Sequence, residues 1–300
     1  MKKALVTGAS GFVGHYMVDA LRKRDYEVVT TDIVERANMK IDILENCHRT
    51  FSEFHTPANL DLVVHLAANV GGRAQIDGSP LAVASNASLD IAMLNWAKVV
   101  KPKKILYFSS SAAYPIAYQM EQKRNVLLRE SDIHWDALKL PDSTYGWVKL
   151  TGEYFCQFAR REGLNITVVR PFSGTGPLQS LDYPLPAICL RAVKREDPLR
   201  VWSSGVRDWI HMEDCVEAAL TLTEAGISAP VNICTGRGLS FPQIAQMAAN
   251  VVGYNPRIEV LTGQPEGVFR RVGNPELMFS YYHPKWTAEA IVEAMVESLS

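Results

Sequence analysis

Apolar runs and helically spaced apolar positions alternate through the first half of the chain. Lys3–Thr7 is a short apolar run that ends in glycine. Phe12–Lys23 follows, with Val13, Met17, Val18 and Leu21 spaced along one helical face. Glu27–Thr31 is β-branched and predicts a second strand; Leu62–Leu66, Ile105–Ser109 and Ile166–Val169 predict three more. Pro80–Val100 and Thr144–Arg161 read as helices between them. Such alternation implies parallel strands covered by helices on both faces, with the loops that follow the strands gathered along one edge. Ligands of such sheets bind at that edge.

Beyond Arg170 the alternation fails. Pro171, Gly174, Gly176, Pro177, Pro184 and Pro186 interrupt the chain. Helices are predicted near Ala187–Arg195 and Glu213–Glu224, and a strand at Val231–Cys234. Phe241–Val252 is a further helix, with Ser240 placed to cap it. The expectation is an α/β chain: a doubly wound parallel sheet over residues 1–172, joined by segments returning near 205–235. A smaller lobe covers 173–300, with a cleft between the two.

Composition narrows the functional classes. A chain of 300 residues, 47% of them hydrophobic, is long enough for one large domain with a small lobe. A formal net charge of −1 offers no basic field for nucleic acid or an anionic membrane, so any anionic ligand needs a local site. The cysteines Cys47, Cys156, Cys189, Cys215 and Cys234 are scattered and form no CxxC pair, against a disulfide framework or a zinc site. No stretch approaches the roughly 18 uninterrupted apolar residues of a membrane helix, and the N-terminal apolar run stops too early for a signal peptide. A cytoplasmic protein without a metal is expected.

The first turn carries a glycine loop, Gly8-Ala9-Ser10-Gly11-Phe12-Val13-Gly14, between strand and helix. Glycines there allow a tight turn and let N–H groups at the helix start approach a pyrophosphate. Asp32 closes the second predicted strand, where a carboxylate binds the adenosine ribose hydroxyls. Its charge would repel a 2′-phosphate and so favours NAD, although Arg36 is placed to accept that phosphate.

Tyr145-Gly146-Trp147-Val148-Lys149 puts a phenol and an ammonium on one helical face, at i and i+4. A free tyrosine ionises near pH 10, too high for a base at neutral pH, and a neighbouring cation favours its phenolate. Ser109-Ser110-Ser111 ends the fourth predicted strand on the same edge, where one hydroxyl is placed to align a reacting oxygen. The bland alternatives are a surface Tyr/Lys pair and three turn-capping serines.

Together these residues resemble the nucleotide-sugar epimerase/dehydratase group of the extended short-chain dehydrogenase/reductase family. The resemblance runs nearly end to end, through TGASGFVG (7–14), HLAA (65–68), FSSSAAYP (108–115), YGWVK (145–149), RPFSGTGP (170–177), RDWIHMEDCVEA (207–218) and NICTGRGLSF (232–241). It implies a Rossmann-type NAD-binding domain, a substrate-binding lobe, a nucleotide-diphosphate sugar as substrate and a homodimer. By the family pattern Ser110, four residues before Tyr114, is the catalytic hydroxyl beside Tyr145 and Lys149, with Ser111 as fallback. The resemblance also implies that NAD is surrounded by Gly8, Ser10, Gly11, Phe12, Val13, Gly14, Asp32, Asp42, Ile43, Leu66, Ala67, Ala68, Ser109, Tyr145, Lys149 and Pro171. It brings the substrate against Ser110, Ser111, Tyr145, Ser173, Arg207 and Arg270. Arg207 matches the family's diphosphate-binding arginine, whose planar fork suits phosphate oxygens, unless it pairs with Asp208 at the surface. Gln264-Pro265-Glu266-Gly267 is a candidate nucleotide turn, and His211 reads as a packed structural residue.

The reaction is narrowed by residues that differ from the group's patterns. Related 4,6-dehydratases carry an Asp-Glu pair where this chain has Ser111 and Ala112, and alanine transfers no proton. HLAANVGGR and QPEGVFRRV make the chain partly similar to GDP-fucose synthases, but Ala112 and Tyr183 stand where that pattern has a cysteine and a histidine. The expectation is a redox-neutral epimerase acting at sugar C4 through a transient 4-keto intermediate. Alternatives are an NAD(P)H-dependent 4-keto-sugar reductase, a dehydrogenase of a non-sugar substrate, and an inactive dinucleotide-sensing binding protein. Ala92-Met93-Leu94 and the Phe155/Phe158 face either pair two subunits or pack on the sheet.

Overall fold

The computed structural model describes residues 1–33, 39–40, 59–123, 125–262 and 267–300. Arg36, Asp42, Ile43, Cys47 and Gln264–Glu266 lie outside the described residues. The strands are β1 (Lys2–Thr7), β2 (Tyr26–Asp32), β3 (Met39–Lys40), β4 (Leu62–His65), β5 (Lys104–Phe108), β6 (Ile166–Pro171), β7 (Ser173–Thr175), β8 (Leu199–Val201), β9 (Val206–His211), β10 (Val231–Ile233), β11 (Gly238–Ser240), β12 (Ile258–Val260) and β13 (Arg270–Arg271). The helices are α1 (Phe12–Arg22), α2 (Arg73–Gly78), α3 (Pro80–Ala84), α4 (Asn86–Val100), α5 (Ser143–Arg161), α6 (Pro184–Val193), α7 (Met212–Glu224), α8 (Phe241–Val252), α9 (Glu276–Phe279) and α10 (Ala288–Leu299).

A parallel sheet of seven strands, ordered β10-β6-β5-β4-β1-β2-β3, forms the centre. The chain winds outward from β1 through β2 to β3, then restarts on the other side with β4. The crevice of a doubly wound sheet opens at that reversal. Side chains alternate through the sheet. Ala4 and Val6 of β1 join one apolar cluster with Met17 and Leu21 of α1 and Val216 and Leu220 of α7. Leu5 faces the opposite cluster, with Met93 and Trp96 of α4 and Cys156 of α5. A strand buried on both faces reads as a continuous apolar run, which is why these strands were legible.

One chain segment departs from the sequence expectation. The predicted helix over Pro80–Val100 divides at Ser85, whose hydroxyl donates to the Ala82 carbonyl at 2.6 Å. Of the two alternatives for this region, Met93 and Leu94 take the second and pack against the sheet; Phe155 is partly buried against the same cluster, and Phe158 remains 41% exposed.

The second lobe is built from smaller sheets, β11-β9-β13 with β7 beside β9, and β12-β8. Its core gathers Leu185 and Ile188 of α6, Ile244 and Ala248 of α8, and Ile291, Val292 and Met295 of α10. Between these parts the chain returns to the central sheet: α7 packs beneath it and β10 adds to its edge.

Glycine allows α5 to lie closely on its neighbours. A Cβ at Gly152 would stand 2.5 Å from Asp90 Oδ2 and closer still to the Tyr107 hydroxyl. Alanine in a helix interior ordinarily stabilises by about 1 kcal/mol over glycine. Here Gly152→Ala is expected to destabilise by about 1–3 kcal/mol through overpacking. Denaturant melts check the sign, and a raised midpoint would show that α5 has room to shift.

Candidate active site

The glycine loop divides its tasks by position. Gly8 has φ +66°, and a Cβ there would come within 2.7 Å of the Ala67 N–H. Gly14 packs as tightly against the loop: a Cβ would fall 2.5 Å from the Gly8 carbonyl. Gly11 differs, since only the Gly8 carbonyl lies near its missing side chain, at 3.3 Å. Open room therefore lies over the start of α1, where the first N–H groups have no intrahelical acceptor. An anion is favoured at such a place. Asp32 flanks it, accepting from the Ser10 N–H at 2.8 Å and the Ile33 N–H at 2.7 Å. The loop thus fits a dinucleotide: a glycine with open room above it for pyrophosphate and a partly exposed carboxylate beside it.

A buried chain of hydrogen bonds fixes the facing loop. Thr7 Oγ1 accepts from the N–H groups of Leu66 and Ala67, each at 3.1 Å, and contacts His65 Nδ1 at 2.9 Å. His65 Nε2 meets Asp90 at 3.2 Å, and the Tyr107 hydroxyl donates to the same carboxylate at 2.7 Å. With Nδ1 accepting from Thr7 and Nε2–H donating to Asp90, each group in the chain is satisfied. His65 therefore sets the path of Leu66–Ala68 from below.

At the next strand end, Ser109 and Ser111 are each 4% exposed, while Ser110 stays half-buried. The Ser109 hydroxyl is directed inward and donates to Glu153. Ser110 Oγ accepts from the Ala112 N–H at 3.1 Å, which leaves its own proton to give. Tyr145, also half-buried, starts α5, and Lys149 lies beneath it one turn on. The Lys149 ammonium donates to the Phe108 carbonyl at 2.8 Å and stands 5.9 Å from the Tyr145 ring centre. Tyr145 and Lys149 thus share one face of α5, Lys149 reaches the end of β5 at Phe108, and Ser110 follows that strand at the same carboxyl edge.

One turn further along the same face, Glu153 forms a buried, two-pronged ion pair with Arg170 of β6, at 2.9 and 2.7 Å. Both side chains are 1% exposed. Arg170 also donates to the Tyr114 hydroxyl at 3.0 Å, and Tyr114 donates to Asn232 of β10 at 2.6 Å. Burial by itself weakens the guanidinium's hold on its proton, but Glu153 and Tyr114 more than offset this and raise its pKa.

In the second lobe, Arg207 and Arg270 do not converge. Arg270 pairs in register with Val206, so it shares that residue's face of the sheet. Its Nε is buried without a hydrogen-bond partner. Burial lowers its pKa, opposed by the nearby Asp208. Arg207 lies over the Phe241 ring at 5.4 Å, and its Nη1 donates to the Val206 carbonyl at 2.9 Å. The buried Asp208 carboxylate turns elsewhere, accepting from Thr235 N, Thr235 Oγ1, Gly236 N and Gly273 N. Burial pushes the Asp208 carboxyl up to about 6 despite these four donors. Ser173 lies on β7, beside Trp209, and Pro171 ends β6. His211 caps α7 by accepting from the Glu213 N–H, a structural role.

Tyr183 stands out in the sequence only as a departure from a histidine. It precedes α6 as the N-cap residue. Burial pushes its phenol up to about 12, with the facing Tyr145 as the next cause. No sequence signal beyond its place before the Pro-Leu-Pro run marks it as a neighbour of Tyr145.

A sequence profile of the NAD dependent epimerase/dehydratase family matches residues 4–234. GDP-mannose 3,5-epimerase 1 of Oryza sativa subsp. indica is 28% identical over 283 residues, covering 88% of this chain and 72% of that protein. GDP-L-fucose synthase of Sinorhizobium fredii (strain NBRC 101917 / NGR234) is 26% identical over 311 residues, covering 99% and 95%. The solved structure of UDP-glucose 4-epimerase from Thermus thermophilus, in complex with NAD, superposes with a TM-score of 0.82 at 20% identity, covering 99% and 98%. That last likeness is one of fold.

Glu153→Gln keeps the shape of the buried pair but removes its charge, leaving the Arg170 cation uncompensated. The expected cost is about 3–5 kcal/mol. Chemical denaturation measures it, and an unchanged midpoint would show that the pair does not hold α5 to β6.

Proposed function

The chain belongs to the NAD dependent epimerase/dehydratase family, and from that premise we propose that it is an NAD-dependent epimerase of a nucleotide-diphosphate sugar, acting at C4. The observation that carries this reading is the placement of Ser110, Tyr145 and Lys149 at one sheet edge, beside a turn that continues with Ser111 and Ala112. Hydroxyl chemistry is provided for, while the turn offers no carboxyl or thiol to take a proton from a neighbouring carbon. The curated relatives act on nucleotide sugars by name, and the dinucleotide cradle over Gly11 supports a cofactor at the same edge.

In this mechanism Tyr145 accepts the proton of the sugar C4 hydroxyl. Ser110, with its proton free to donate, holds the same oxygen in line. Bound NAD supplies a hydride acceptor that is restored within each turnover. Lys149 holds the nicotinamide ribose. The flat 4-keto sugar turns over in the cleft, and Tyr145 returns the proton once the opposite face of C4 has been reduced. Gly8, Ser10, Gly11, Phe12, Val13, Gly14 and Asp32 hold the pyrophosphate and adenosine. Leu66, Ala67, Ala68, Ser109 and Pro171 form the walls around the cofactor. Ser111, Ser173 and Arg207 belong to the substrate side, with Arg207 on the diphosphate, whereas Arg270, in register with Val206 on the other face of the sheet, stands apart from them.

We assign residues 1–172 with a segment returning near 205–235 to the NAD-binding domain and the remainder to the substrate lobe; of the returning segment, α7 and β10 join the central sheet, while β9 with Arg207 lies among the smaller sheets of the lobe. We place the protein in the cytoplasm, in keeping with the free, buried Cys156, Cys189, Cys215 and Cys234. Among the described residues no helix is long and apolar enough to cross a membrane. A homodimer is supported by the exposed stripe of Trp147, Tyr154 and Phe158 along α5.

A 4-keto-sugar reductase is the second reading, favoured by the nearly full-length similarity to GDP-L-fucose synthase. It would consume one reduced cofactor per product, whereas the epimerase shows no net consumption. Under the proposed mechanism, Tyr145→Phe lowers turnover by at least about 100-fold, the scale of a lost general base. NAD binding, followed by the nucleotide retained after purification, stays intact. Near-normal turnover in this variant would remove Tyr145 from the chemistry.

A further inference from the structure

The start of α5 is held in an unusual way. Asp142 occupies the N-cap position, where an aspartate ordinarily accepts an N–H from the first turn of its own helix. Here it makes no side-chain cap. Its carboxylate turns outward to Arg271, whose Nη2 donates to Asp142 Oδ2 at 2.6 Å. The next residue, Ser143, has φ +58°, a left-handed conformation that a non-glycine residue keeps only where its surroundings impose it. Tyr145 follows two residues later.

Arg271 reaches two neighbours at once. Its Nε donates to Gln119 Oε1 at 2.6 Å. Gln119 is fully buried, and its Nε2 donates to the carbonyls of Tyr114 and Pro115 at 3.0 and 3.2 Å. The N–H of Arg270 donates to the Gln119 carbonyl at 3.1 Å. On the other side, the Asp142 N–H donates to the Ala112 carbonyl at 3.2 Å. That carbonyl lies so close to Gly146 that no side chain fits there. One guanidinium from the second lobe therefore joins the Ser110–Ala112 turn, the segment after Tyr114, and the first turn of α5. The pair is largely shielded, with Arg271 and Asp142 side chains 13% and 12% exposed.

We propose that Arg271 is a positioning residue, the strut that holds the strained entry of α5 and so sets Tyr145 against Ser110. β13 then has a role on each face. Arg271 supports the catalytic helix, while Arg270 lies beside Val206 on the opposite side of the same two-residue strand. A shift of the substrate lobe moves Asp142 directly. The role in turnover rests on the reading of Tyr145 as the acid–base group.

The test compares the full-length protein with Arg271→Ala, Arg271→Lys and Asp142→Asn, using hydrogen–deuterium exchange and steady-state kinetics. In Arg271→Ala the peptide over 141–149 exchanges about tenfold faster through local opening, while the C-terminal half of α5 is unchanged. Turnover per NAD-loaded site falls by about 10- to 100-fold, the cost of a misplaced reacting group, while KM changes little. Lysine reaches Asp142 but not Gln119 as well, so Arg271→Lys recovers part of both effects. Asp142→Asn keeps the size of the side chain and reproduces the alanine variant if that variant fails to fold. Unchanged exchange at 141–149 in Asp142→Asn or Arg271→Ala overturns the proposal, as does exchange raised evenly along the chain. If the parent protein turns over no nucleotide sugar, the epimerase reading fails and the exchange measurement alone decides the role of Arg271.

Discussion

The site depends on a charge that the fold has taken out of water. Arg170 lies inside the protein at the carboxyl end of β6, and the cost of burying its guanidinium is met by Glu153 on α5. That pairing fixes the rotation of α5 about its axis. With Glu153 directed inward, Lys149 and Tyr145, one and two turns earlier, stand on the same face and look along the sheet edge. Ser109 donates to the same carboxylate, so the strand end carrying Ser110 is tied to the helix carrying Tyr145. Tyr114 and Asn232 extend the network to β10, the strand supplied by the returning chain. A residue that touches neither ligand thus settles where the reacting side chains meet.

Close approach is the second constraint. Gly8 and Gly14 bring the first turn against the loop after β4 and against itself; Gly146 and Gly152 bring α5 against the serine turn and against α4. At each place the missing side chain is filled by a neighbour's backbone or polar group. Gly11 is the contrast, with space left over it. The glycines that look alike in sequence therefore separate into those needed for packing and one that keeps a ligand's place free.

The central sheet was legible because its strands are buried on both faces and its helices carry one apolar stripe each. Ser240 as a cap and Phe241–Val252 as a helix were legible from local chemistry, since Ser240 and Gln243 form a capping box. The second lobe was much less so. Its strands β7, β8, β11, β12 and β13 have two or three residues, too few for a period of two to show, and α10 was not anticipated. Within the site, the Tyr145/Lys149 spacing and the glycine loop were readable as motifs. Ser110 was singled out among the neighbouring serines only by the family pattern, because which of them is exposed depends on where Glu153 lies. The company of Tyr183 and Tyr145, and of Arg271 and Asp142, joins residues far apart in the chain and has no local signature.

In the proposed reaction one carbon of the sugar, C4, is oxidised and reduced again on a cofactor that never leaves. This is tested most directly with UDP-glucose and GDP-mannose carrying deuterium at C4, incubated with the purified protein without added cofactor. The expected product is a C4 epimer that retains the deuterium at C4, with none released to water. Deuterium kept at C4 while solvent protons enter C3 or C5, or product formed only when NADPH is supplied and consumed, would contradict it.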